Sequence, residues 1–240
     1  MIGTAFKMDE MVMARYIRWR LIFLLGILVA VAGSAPIWLE FAEPLKPEED
    51  VVKVFRCPEG LLQEQCDLLT DLDKEDEEKA ALFANALLAD PVPAPSNEQA
   101  DNSIRDGIAI ETFSEFTETR IRTGEFSEID ALRWAKGRVN VWELVGDGEI
   151  TRILRFDSNF EVGLGPDLHV YLAVSSNLTS SEQLFEGDLA YDAGLLKGNI
   201  GGQNYRLPED LDITQFSSVV IYSNSLEMIF SVALLQQPIQ

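Results

Sequence analysis

The C-terminal part of this 240-residue chain predicts an all-β domain, an antiparallel β-sandwich. Three observations predict it. From Ile104 onward, short runs of alternating apolar and polar residues recur between glycine, proline and aspartate turns. None of these runs has the length and period of a substantial helix. One stretch, Asn159 to Ser175, sets a Gly-Pro-Asp corner ahead of strict alternation. Leu168, Val170, Leu172 and Val174 fall on one face of that strand, and Asp167, His169, Tyr171 and Ala173 on the other. Pro166 has no backbone donor, so it marks the strand's entrance. Many short strands with regular turns pack as a sandwich or close as a barrel.

Taken in order, the chain opens with a cytoplasmic N-terminus, residues 1–20. Arg15, Arg18 and Arg20 there precede an uncharged run from Leu21 to Leu39, and Glu40, Glu43, Glu48, Glu49 and Asp50 follow it. A helix of about 20 apolar residues spans the hydrocarbon core. The charge asymmetry predicts a retained transmembrane signal anchor over 21–39, with Trp38 at the interface. The expectation is a single-pass protein of the cell membrane with everything after the helix extracytoplasmic. A cleaved signal peptide, cut near Ala32-Gly33-Ser34, is the alternative. Export makes Cys57 and Cys66, the two cysteines of the chain, a disulfide pair. Their spacing is not that of a C-x-x-C redox motif.

Residues 40–103 read as an acidic stalk. Thr70 and Asp73 resemble a capping box, and Ala80, Phe83, Ala84, Leu87 and Leu88 form one apolar stripe. A helix over about 71–89 follows, stopped by Pro91, Pro93 and Pro95. A Pro-rich linker then runs from Asp90 to Ser103. The segment serves as a spacer lifting the domain off the membrane, or as a docking helix for a partner.

Residues 104–240 form the β domain. Arg138–Leu144 and Glu149–Phe156 flank Gly146-Asp147-Gly148, which predicts a hairpin. Gly187–Gly194 reads as a loop. Leu195–Ile200 and Gln203–Leu207 flank Gly201-Gly202, which predicts a second hairpin. Ser218–Ser223 and Leu226–Leu235 complete the set.

The formal charge of −21, from 19 basic against 40 acidic residues, excludes a nucleic-acid partner, because binding a phosphate backbone needs a basic surface. Contact with the membrane is left to the N-terminal helix, and the extracytoplasmic partner, protein or small ligand, stays open. His169, the one histidine, reads as a hydrogen-bonded structural residue beside Asp167 and Tyr171, or as a haem ligand with Met228 as second axial ligand. Blue-copper and structural zinc sites fail on ligand count. No G-x-S-x-G elbow is present. Asp147 with Glu149, and Asp210 with Asp212, are carboxylate pairs at turns, solvated or placed to bind Ca²⁺.

Several motifs then fall in register. They are Gly165-Pro166-Asp167-Leu168-His169-Val170-Tyr171-Leu172, Leu195-Leu196-Lys197-Gly198, Gly202-Gln203-x-Tyr205-x-Leu207-Pro208, Val219-Val220-Ile221-Tyr222 and Phe230-Ser231-x-Ala233-x-Leu235. Over roughly 126–235 the chain resembles the DM-thirteen (electron transfer) domain family. The resemblance implies an extracytoplasmic β domain with redox chemistry through a cysteine after the V-V-I-(Tyr/Trp) strand. Ser223 occupies that position here, and a hydroxyl neither cycles to a disulfide nor offers a metal a thiolate. Two functions follow as expectations: a non-catalytic binding or surface-interaction module, and a component of an electron-transfer system.

Overall fold

The computed structural model describes residues 55–95, 117–146 and 148–238. The expected anchor over 21–39, residues 96–116 and Asp147 lie outside them. No helix among the described residues is long and apolar enough to cross a membrane.

Two helices come first, α1 (Gln63–Glu75) and α2 (Glu77–Leu87). The sequence predicts one helix over 71–89; the chain makes two, for a local reason. Asp76 takes extended backbone (φ −152°, ψ 96°), and its carboxylate accepts from the Lys79 N–H, capping α2. Thr70 is not a cap. It lies inside α1, where its hydroxyl donates to the Cys66 carbonyl, while the Gln65 side chain accepts from Leu62 N–H at the true start. The Cys57–Cys66 disulfide is present, with Cα atoms 5.4 Å apart, and fastens α1 to the segment leading into it.

The strands are β1 (Thr117–Glu125), β2 (Ala135–Lys136), β3 (Arg138–Gly146), β4 (Glu149–Phe156), β5 (Glu161–Val162), β6 (Leu168–Ala173), β7 (Tyr191–Leu195), β8 (Gln203–Leu207), β9 (Ser218–Ser223) and β10 (Met228–Leu234). A short helix, α3 (Ser181–Phe185), lies between β6 and β7. One sheet runs β1-β3-β4-β8 and the other β10-β9-β6-β7, with β2 and β5 as a separate ribbon. All pairings between these strands are antiparallel. The predicted hairpin of β3 and β4 forms, with Gly146 opposite Glu149.

Alternation decides which side chains enter the core. Val139, Val141, Leu154 and Phe156 from the first sheet meet Leu168, Val170, Leu172, Val219 and Ile221 from the second. In β10 the pairing slips at Phe230, between Ile229 and Ser231, so Phe230, Ala233 and Leu235 all join the core despite their spacing. One long edge of the sandwich is closed. Thr123 and Gln236 exchange two backbone hydrogen bonds, and Ser127 N–H donates to the Val232 carbonyl.

The second predicted hairpin does not form. β7, which takes in the end of the expected Gly187–Gly194 loop, pairs with β6, and β8 pairs with β4 in the other sheet. Residues 196–202 therefore cross between sheets. Gln203 holds the crossing by accepting from Lys197 N–H and donating to the Gly198 carbonyl. Gly198 lies so close to Ala94 that a Cβ would fall 2.4 Å from the Ala94 nitrogen. The Gly-Gly pair that reads as a hairpin turn serves a crossover.

The expected stalk is built into this body. Leu69, Phe83 and Ala84 belong to the same core as the strands, and the Phe83 and Phe230 rings lie 5.4 Å apart. The beginning of the expected linker is docked as well, with Ala94 N–H donating to the Ile200 carbonyl. Apolar side chains on α1 and α2 find a partner surface in cis, so these residues do not form a free spacer.

Candidate functional site

The Gly165-Pro166-Asp167 corner organises the residues that the sequence singles out. Gly165 packs under Phe230, where a Cβ would lie 2.3 Å from the ring. Asp167 turns the chain with φ +49°, a left-handed conformation that aspartate tolerates better than most residues. β6 then begins, and His169 points outward, away from the core.

One carboxylate bonds the His169 ring and a second lies near it. Nδ1 lies 3.0 Å from Asp192 Oδ2, and Nε2 lies 3.4 Å from Asp167 Oδ1. The side chain is 20 % exposed. Asp192 also accepts from Gly194 N–H, which fixes it on β7. Next on the same face, the Tyr171 hydroxyl donates to Asn224 Oδ1 at 3.0 Å, and Asn224 N–H returns to the Asp167 carbonyl. Burial, followed by the Asp192 charge, pushes the Tyr171 phenol above its ordinary pKa. Tyr171, Tyr222 and Phe185 pack edge to face beyond it, with centroids 5.2–5.8 Å apart. Asp192 and Asn224 escape the sequence reading, because pairing of β6 with β7 and β9 brings them in from distant positions.

The strand register opposes His169 and Met228 as a pair of haem ligands. Nδ1 of His169 is bonded to Asp192, and Nε2 makes no hydrogen bond among the described residues. His169 lies in register with Tyr222, and Ser223 with Leu168 and Met228. Adjacent residues of a strand face opposite ways, and Met228 packs against the inner core. His169 and Met228 therefore lie on opposite faces of the sheet and cannot share one iron.

Ser223 is 0 % exposed. Its hydroxyl donates to the Pro166 carbonyl at 2.6 Å and accepts from Leu226 N–H at 3.1 Å. It ties the corner to the β9–β10 turn. The position where the resemblance places a cysteine is thus a buried staple.

Of the two carboxylate pairs, only Asp210 with Asp212 lies wholly within the described residues. Asp212 caps the turn Ile213–Gln215, accepting from Thr214 and Gln215, and those bonds hold its carboxyl below the usual range. Asp210 is exposed beside it, Glu149 is exposed at the start of β4, and Asp147 is not described. Among the described residues no three histidine, cysteine or acidic side chains gather as a metal site.

The fold and this corner define an antiparallel β-sandwich domain whose signature residues are mostly turned to structural work. Residues 125–235 match the family described as Electron transfer DM13, and this stretch is a DM13 domain. Neither the curated proteins nor the solved structures give a match to the chain.

Proposed function

We propose that this is a membrane-anchored protein whose DM13 domain lies outside the cytoplasm and acts as a non-catalytic binding module. The observation that carries the reading is Ser223. The position from which the family's redox chemistry is inferred holds a hydroxyl, buried in the core and used twice as a hydrogen-bond partner. His169 and Met228, on opposite faces of the sheet, support it. The Cys57–Cys66 disulfide suits an oxidising compartment, and the uncharged run Leu21–Leu39 supplies an anchor.

Electron transfer is the second reading, favoured by the family's description alone, which is an argument by analogy. An absorption spectrum of the full chain, made in cells supplied with haem and titrated with reductant, decides between them. The binding reading expects no Soret band. A band that shifts on reduction and disappears in His169→Ala would replace it with electron transfer. For the location, the full chain is expected in the membrane fraction, with residues after 40 open to protease from the outer side only. Protection of the C-terminal domain in intact cells would refute that placement.

A further inference from the structure

A second site lies two strands away from β6, at the closed edge of the sandwich. Between β1 and the end of β10 is an open cleft of about 590 Å³, a volume in the range of small-ligand sites. Arg120 and Arg138 line it on one side, Val232 and Leu234 on the other, with Thr123 and Gln236 at the seam. Leu234 is 44 % exposed. The cleft thus pairs two guanidinium groups with an apolar wall.

Among the described residues, the charges of these arginines are answered only at a distance. Acids outnumber bases 40 to 19 in this chain, yet neither Arg120 nor Arg138 forms an ion pair among the described residues. Arg120 lies over the Trp142 ring instead, at 5.9 Å. Glu125 lines the same cleft and stands opposite Arg138 in the strand register without bonding to it. The half-buried Asp157 carboxyl, on which both arginines pull, accepts from Asn140 Nδ2 at 2.8 Å. Asn140 in turn accepts from the Thr123 hydroxyl, so a fixed polar chain backs the cleft. Burial pushes the Asp157 carboxyl up despite the pull of Arg138, Arg155 and Arg120, so it is a reluctant counter-ion.

From this geometry we infer that the β1–β10 cleft binds a small organic anion: a carboxylate seated on Arg120 and Arg138, with an apolar body against Val232 and Leu234. Guanidinium groups favour planar oxyanions through paired N–H donors, and the apolar wall contributes by area. The site gives the binding-module reading a ligand class and rests on that reading. A haem result at His169 would overturn the module reading and leave the cleft as it stands, so the two failures are distinguishable.

The test uses the full chain in lipid nanodiscs at low ionic strength, with benzoate as probe and saturation-transfer NMR as readout. Saturable binding is expected, weakened about tenfold or more in Arg120→Gln and in Arg138→Gln. Arg206→Gln, an exposed arginine on β8, is expected to bind as the parent does. Circular dichroism of each variant separates lost binding from lost fold, and Leu234→Ser, which spares both charges, is expected to weaken benzoate alone. No saturable binding, or binding unchanged in both arginine variants, overturns the inference. Inorganic phosphate competing as well as benzoate overturns the apolar half of it.

Discussion

Ser223→Ala removes one oxygen and no packing volume to speak of, which makes it a clean probe of the corner. In the parent, the hydroxyl serves the Pro166 carbonyl and the Leu226 N–H inside a fully buried site. Alanine leaves both without this partner. A buried polar group stranded in this way costs about 1–3 kcal/mol. The Leu226 N–H is the stricter loss, because a carbonyl has a second lone pair and a donor has one hydrogen. The sum expected is roughly 2–4 kcal/mol. Urea unfolding followed by far-ultraviolet circular dichroism reads it as a lower midpoint with an unchanged slope. A midpoint equal to the parent's would refute the staple. Ser223→Cys carries the reasoning further. Both native cysteines are in the disulfide, so the parent offers no free thiol to a thiol reagent. The new thiol is expected to stay silent in the native protein and react only once urea unfolds it. Fast native reaction would show that the position is open, and would restore the redox reading.

Four further outcomes follow from the same contacts. Gly165→Ala drives a Cβ into the Phe230 ring, and is expected to lower stability by about 1–3 kcal/mol as an overpacking change, read as a lower melting temperature. Cys57→Ser with Cys66→Ser opens a short loop and is expected to cost roughly 2–3 kcal/mol, with hydrogen exchange rising first in α1 and α2; uniform exchange across the β sheets would contradict this. Phe83→Ala empties a site that is 1 % exposed, at about 3–5 kcal/mol; if α1 and α2 belong to the domain, tryptophan emission from Trp134 and Trp142 shifts with the helical signal in one transition. Asp157 carries a pH dependence whose sign is definite. Its folded pKa is raised, so the native state binds more protons than the unfolded one between the ordinary aspartate value and the raised one. Stability from this group is greatest below that window and falls as pH rises through it. Asp157→Asn keeps an acceptor for Asn140 and is expected to match the parent at low pH and exceed it near neutrality, measured by urea midpoints at both.

Local pattern made the strands legible. The alternation of Leu168 to Ala173 locates β6, because Leu168, Val170 and Leu172 enter the central core while Tyr171 and Ala173 join a second apolar cluster on the other face; in β3 only Val139 and Val141 keep the pattern. Two things were not legible. A Gly-Gly pair looks the same whether it turns a chain back into one sheet or carries it to another; the difference lies in Ala94 and Gln203, which reach Gly198 from outside the motif. An amphipathic acidic helix likewise has an apolar stripe whether it waits for a partner or lies on its own domain. Phe83 meets Phe230 across a sequence distance that no local window spans. At the site, His169 was visible as a lone histidine, and Asp167 as its neighbour. Asp192 arrives through strand pairing, and the Arg120–Arg138 cleft through closure of the seam, both tertiary facts.

The residues that carry the resemblance are largely the ones the fold consumes. Gly165 makes room for Phe230, Ser223 staples Pro166, Gln203 and the Tyr205 hydroxyl bond to each other at 2.7 Å, and Gly198 admits Ala94. Each is buried or packed tightly against a neighbour, and a side chain with its hydrogen bonds satisfied inside the protein has little left for a ligand. A motif of this kind specifies where the chain turns and crosses, and so identifies the domain without supplying its chemistry. Arg120 lies before the matched stretch altogether, and Arg138 within it but outside every motif that signals the family. Charge answered only at a distance, beside an exposed apolar wall, is what a binding surface requires and what a packed core forbids. If the domain has a ligand, its specificity resides in such residues, and related domains that share the corner need not share the ligand.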